Sequence, residues 1–152
     1  MKMLFAAAAA SLALAGGTLS VSAANAQSAE RVYDNGTVWT ISQVETKPGM
    51  FDDYMKYLST TWRQIQEADK KAGRVLSYRV LTVNSPRDHE PDVILMVEYK
   101  NMAVFDRTQA DQDAATAAAF GTTVKANQSS VARETLRVLR GSQTARELVF
   151  TK

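Results

Sequence analysis

Two neighbouring stretches decide the fold: residues 51–73, FDDYMKYLSTTWRQIQEADKKAG, and residues 75–100, VLSYRVLTVNSPRDHEPDVILMVEYK. In the first, Phe51, Tyr54, Met55, Leu58, Trp62 and Ile65 recur at steps of three and four apart from one adjacent pair. That spacing lays them on one face of a helix over 51–72. Asp52 and Asp53 in the first turn and Lys70 and Lys71 in the last both complement the helix dipole, and Gly73 supplies a left-handed stop. The second stretch reads as two strands, Val75 to Thr82 and Val93 to Lys100, joined by a loop rich in proline and charge between Val83 and Asp92. A register in which opposite residue numbers sum to 177 sets Tyr78 against Tyr99, Val80 against Val97 and Arg79 against Glu98. One hairpin face is then apolar and aromatic (Leu76, Tyr78, Val80, Leu95, Val97, Tyr99), and the other is mixed (Ser77, Arg79, Leu81, Met96, Glu98, Lys100).

Outward from this unit, Val38 to Val44 has a strand's composition and is closed by Lys47-Pro48-Gly49. Before it, Gln27 to Gly36 is polar, ends in the turn signal Asp34-Asn35-Gly36, and is expected to form an exposed arm. After the hairpin, Asn101 is a natural N-cap for a helix from Met102 to Phe120, with Gly121 a break. Asn127 to Ser130 forms a second capping region, Val131 to Arg140 a short helix closed by Gly141, and Ala145 to Thr151 the last strand. The order β-α-β-β-α-β predicts an α+β, ferredoxin-like domain: a four-stranded antiparallel sheet with both helical regions on one face, the second of them divided. Trp39, Ile41, Leu81 and Met96 would fall on the other face, an apolar set expected to be covered by a second copy.

The first 26 residues are expected to be a cleavable signal peptide. Lys2 supplies the positive charge, Leu4 to Ala15 an apolar run broken only by Ser11, and Ala24-Asn25-Ala26 the small residues before a cut at Gln27. The run is shorter than the ~20 residues of a bilayer span, so no membrane anchor is expected after cleavage, and the destination is periplasmic or secreted. Loss of Lys2 leaves charge nearly balanced, and no basic stripe suited to nucleic acid is present. The chain has no Cys, so no disulfide framework supports the fold. Its core must suffice. The remaining length suits one domain, from residue 37 to residue 152.

The strand ending in Lys47-Pro48-Gly49, the helix from Phe51 to Ala72, the hairpin, and Glu98-Tyr99-Lys100-Asn101-Met102-Ala103 leading into the second helical region together resemble the dimeric α/β-barrel superfamily. The resemblance covers essentially the whole mature domain and is nearest to that superfamily's small exported proteins of unknown function. Its members include antibiotic-biosynthesis-type and haem-degrading monooxygenases, muconolactone isomerases, stress-responsive barrels and NIPSNAP-like proteins. It implies two sheets from two subunits closing into a barrel, often with a ligand pocket between each sheet and its helices. It does not choose among activities.

The residues speak faintly about chemistry. His89, the only histidine, sits mid-loop between Asp88 and Glu90 and reads as a solvated side chain rather than a base or ligand. With one His and no Cys, no metal site and no cofactor are expected, and no nucleophile has an activating partner. Asp52 and Asp53 are adjacent on a helix and point apart, so they make no acid/base pair. Tyr54, Trp62, Tyr78, Tyr99, Phe105 and Trp39 are the candidate ligand-binding set, converging between sheet and helices unless they are simply core. Trp39, Ile41, Arg79, Met96 and Glu98 are the candidate dimer-face residues, Trp39 being open to either placement. Arg79 and Glu98 form a cross-strand ion pair or, if desolvated in a dimer, pin the interface. The leading expectation is an exported homodimer that binds a small apolar or aromatic molecule. A cofactor-independent monooxygenase or isomerase using the same pocket, and a structural or stress-protective dimer without ligand, are the alternatives.

Overall fold

A computed structural model describes residues 31–151; the expected signal peptide and the start of the expected arm lie outside the described residues. Strand β1 (Tyr33–Thr46) leads into helix α1 (Phe51–Tyr57), a π-helical turn (Leu58–Trp62) and helix α2 (Arg63–Lys71). Strands β2 (Ser77–Thr82) and β3 (Val93–Tyr99) follow. A 3-10 turn (Met102–Phe105), helices α3 (Gln109–Phe120) and α4 (Thr123–Glu134) and strand β4 (Arg137–Phe150) complete the chain. The sheet order is β2-β3-β1-β4, every neighbouring pair antiparallel. The fold is ferredoxin-like.

The helix over 51–71 forms as its periodicity predicts, and its apolar stripe carries the core. Tyr54 and Leu58 pack with Val44, Val93 and Leu95, and Met55, Tyr57, Trp62 and Leu136 flank that cluster. The π turn is where Ser59 and Thr60 both return hydroxyl hydrogen bonds to the Lys56 carbonyl, and such back-bonding loosens an α-helical ladder. Gly73 has φ +72°, the left-handed stop expected of it.

The hairpin register departs from expectation by two residues. Opposite numbers sum to 175: Tyr78 faces Val97, Arg79 faces Met96, and Ser77 faces Glu98. A shift of two leaves every side chain on its predicted face, so the faces stand while the Arg79–Glu98 pairing does not. Ser77 donates its hydroxyl to Glu98 instead.

Three boundaries also differ. The expected arm is already strand at its end: Tyr33, Asp34 and Asn35 pair with Phe150, Val149 and Leu148. The second helical region does not run unbroken from Met102. Asn101 caps only the 3-10 turn, through its side-chain oxygen and the Ala103 N–H. A fresh cap at Thr108, reciprocal with Asp111, starts α3. Finally, α4 begins at a Thr122 cap and ends at Glu134, so 137–140 are strand rather than helix. Val138 and Leu139 gain a ladder against Glu45 and Val44, and that pairing outweighs a helix propensity that is weak for so short a run.

The helical layer is uneven. The helix over 51–71 buries Tyr54, Leu58 and Gln66, whereas α3 and α4 bury no residue. The sheet beneath explains the difference. On the helix side β1 and β4 present Thr40, Ser42, Ser142 and Thr144, a hydroxyl surface. Little apolar area is offered there for a helix to remove from water.

Candidate functional site

The register divides the candidate residues between two sheet faces. Val38, Val44, Val93, Leu95 and Val97 occupy the helix side and are buried, each at most 8% exposed. Tyr78 and Tyr99 share that side. Trp39 faces Glu98 and Ile41 faces Met96 on the opposite side. Trp39 therefore lies away from Tyr78 and does not join a pocket with it. Arg79 extends over the Trp39 ring, 5.5 Å from its centroid, a cation–π contact on the open face. Ile94 and Leu81 continue this apolar surface, and Leu81 is 44% exposed.

The remaining aromatics do not surround one cavity. They form three separate pairs. Tyr54 is fully buried and stacks on Tyr57, ring centroids 6.0 Å apart. Trp62 meets Tyr78 edge-on at 5.3 Å beside an open groove of about 290 Å³, walled also by Met55, Leu58 and Val80. Tyr99 meets Phe105 edge-on at 5.1 Å. The Tyr78 hydroxyl donates to Glu67 at 2.6 Å, and that bond raises its pKa above the ordinary 10.0.

Tyr99 and Phe105 border a cleft between the Gly73–Arg74 turn, the 3-10 turn and α3. Three adjoining hollows of about 470, 300 and 150 Å³ all include Arg74 in their walls. Arg107 lines the two larger ones, with Val104. Ala103, Ala114, Ala115 and Ala118 form a smooth wall, and their small side chains leave the space open. Arg74 is held by Asp69 through Nε and Nη2, and Arg107 Nη2 donates to the Asp111 carbonyl at 2.8 Å.

A third polar feature was not singled out from the sequence. Arg137 is 8% exposed, with Nη1 3.4 Å from the Tyr54 hydroxyl and Nη2 3.2 Å from Glu134. Arg133 donates to the Tyr57 hydroxyl at 3.3 Å and lies 3.7 Å from the same Glu134. The Nε of each arginine is buried without a hydrogen-bond partner. Burial raises the Tyr54 pKa above the ordinary 10.0, against the opposing pull of Arg137. The spacing Arg133-Glu134-Arg137 was visible as a helical charge pattern. Its burial was not, because it depends on where α4 turns into β4.

His89 lies in the β2–β3 loop with φ +62°. Its ring is 71% exposed, Nδ1 3.7 Å from Glu45 and Nε2 3.4 Å from Asp88. Arg140, ion-paired with Glu45, reaches Nδ1 at 3.0 Å. The imidazole belongs to a surface network. No group of three metal-ligating side chains occurs among the described residues, and among them no helix is long and apolar enough to cross a membrane.

No family model matches the chain, and no curated protein matches it. Among solved structures it is similar to a protein from Shewanella oneidensis, 12% identical with a TM-score of 0.43, covering 77% of this chain and 96% of that one. It is also similar to two dimeric ferredoxin-like proteins from uncultured marine organisms. One is 13% identical with a TM-score of 0.45, covering 78% of this chain and 91% of the other. The second is 20% identical with a TM-score of 0.39, covering 78% and 97%. The fold assignment itself rests on the strand order.

Proposed function

We propose that the chain is an exported, small-molecule-binding protein that works as a homodimer, two copies meeting through their open sheet faces. The carrying observation is the open face itself: Trp39, Ile41, Leu81, Ile94 and Met96 make an apolar surface on the side of the sheet away from the described helices. Arg79 and Glu98 lie on the same surface, and neither makes an ion pair within the described residues. A surface that is apolar and carries charges of both signs suits contact with its own copy turned by a two-fold axis. Export rests on the leader before Gln27.

Binding is preferred to catalysis as a monooxygenase or isomerase because the two carboxylates lining the helix-side hollows are already engaged, Asp69 with Arg74 and Asp111 with the Thr108 hydroxyl. The Trp62–Tyr78 groove offers a tyrosine and an arginine, and the lone histidine is exposed elsewhere. A ligand-free structural dimer is less favoured because the helix side keeps open volume beside its aromatics. Native mass spectrometry of protein recovered from the periplasm or medium tests the proposal. The expected result is twice the mass of the chain from Gln27 onward, with a small added mass. Monomer at micromolar concentration, or a product retaining the leader, would contradict it.

A further inference from the structure

The Arg74 cleft allows the ligand to be specified further, on the small-molecule-binding reading above but without requiring the dimer. Its two guanidinium groups come from segments far apart in sequence, the turn after α2 and the link into α3. Both acids beside them are already engaged. Asp69 holds Arg74, and Asp111 accepts the Thr108 hydroxyl at 2.7 Å as part of the α3 cap. The donors are not all used: among the described residues Arg74 Nη1, Arg107 Nε and Arg107 Nη1 have no protein acceptor. Planar guanidinium donors facing a half-enclosed space are matched by a carboxylate, which accepts two parallel N–H bonds.

The remainder of the cleft is of another character. Val104, Ala114 and Ala118 line its middle, and the Tyr99–Phe105 pair closes one end. A volume of about 470 Å³ falls in the range of small-ligand sites.

We propose that this cleft takes a small organic acid with an apolar or aromatic body. Arg107 and Arg74 hold its carboxylate, and the body lies along the alanine wall of α3 toward Phe105. Neither bond making nor redox chemistry is implied. The alanines of α3 have a use in this arrangement, since a larger side chain at Ala114 or Ala118 would fill the space the body occupies.

Calorimetric titration with benzoate, its neutral counterpart benzamide, acetate and inorganic phosphate tests the assignment. Benzoate should bind, with benzamide and acetate each at least about tenfold weaker and phosphate no better than acetate. Arg107→Gln, in a solvent-facing link, and Ala114→Leu, on an exposed helix, should each weaken benzoate roughly tenfold or more with an unchanged circular dichroism spectrum. Equal binding of benzoate and benzamide, or of benzoate to wild type and Arg107→Gln, would overturn the acid assignment. Benzamide binding that perturbs Trp62 fluorescence and ignores both substitutions would move the ligand to the Trp62–Tyr78 groove, overturning this inference while leaving the binding role intact. Phosphate binding as tightly as benzoate would overturn the organic body. No binding by any of the four would defeat the inference alone if protein from its native compartment still carries a co-purifying small molecule, and both readings if it carries none.

Discussion

Both faces of this sheet carry apolar side chains, and the two have different cover. On the helix side, Val38, Val44 and Val93 are completely removed from water, Val44 and Val93 packed with Tyr54 and Leu58. On the other, Trp39, Ile41, Ile94 and Met96 are only half-buried and Leu81 is exposed. Alternation along a strand normally separates a dry face from a wet one. Here it separates two apolar faces, and the described helices lie on one. On the proposed dimer, the domain's stability and its association draw on different sides of one layer. Substitutions on the two sides should therefore fail in different ways.

The largest effect belongs to the covered side. Leu58→Ala leaves a void between Val44, Val93 and Leu95 and should lower unfolding free energy by about 2–5 kcal/mol, read from denaturant midpoints. Ile41→Glu on the open side should halve the solution mass while leaving the monomer's circular dichroism intact. If Ile41→Glu unfolds the chain outright, the two sides are not separable as argued. Next is the buried arginine cluster. Glu134→Gln removes the one carboxylate beside Arg133 and Arg137, with an expected cost of roughly 1–2 kcal/mol because Glu134 is itself half exposed. Arg137→Met, which removes the buried charge instead, should cost less.

The smallest effect is a pH dependence confined to the covered side. Tyr54 has a pKa raised above 10.0, chiefly by burial. A raised value means the folded state favours the neutral phenol. That stabilisation is fully present below pH 10 and is lost as pH rises through the folded-state value. Denaturant midpoints should therefore fall at alkaline pH, and Tyr54→Phe should flatten that fall. An unchanged alkaline slope in Tyr54→Phe would place the titration elsewhere.

How much of this was legible follows from the periodicities involved. The helix over 51–71 announced itself because six apolar residues share one stripe, and the hairpin faces because alternation survives any even shift. For the same reason the alternation did not determine the register, which is set by the loop and by the pairing of Val93 with Val44 and Thr82. The start of β4 differs from the expected helix because a strand made by pairing with β1 leaves little local signal in Arg137-Val138-Leu139-Arg140. The aromatic set does not gather into one pocket: Trp39 lies on the other face, and Tyr54 is core. Arg74 and Arg107 escaped notice because only the fold brings them to one cleft.

The most direct test of the twin-face account is sedimentation equilibrium of the chain from Gln27 onward beside Ile41→Glu and Met96→Glu, over a dilution series reaching below micromolar concentration. The account predicts a wild-type mass of two chains and a single-chain mass for both substitutions, with Trp39 fluorescence shifting to the red as the interface opens. A wild-type chain that sediments as a monomer throughout, with Trp39 emission independent of concentration, would contradict it.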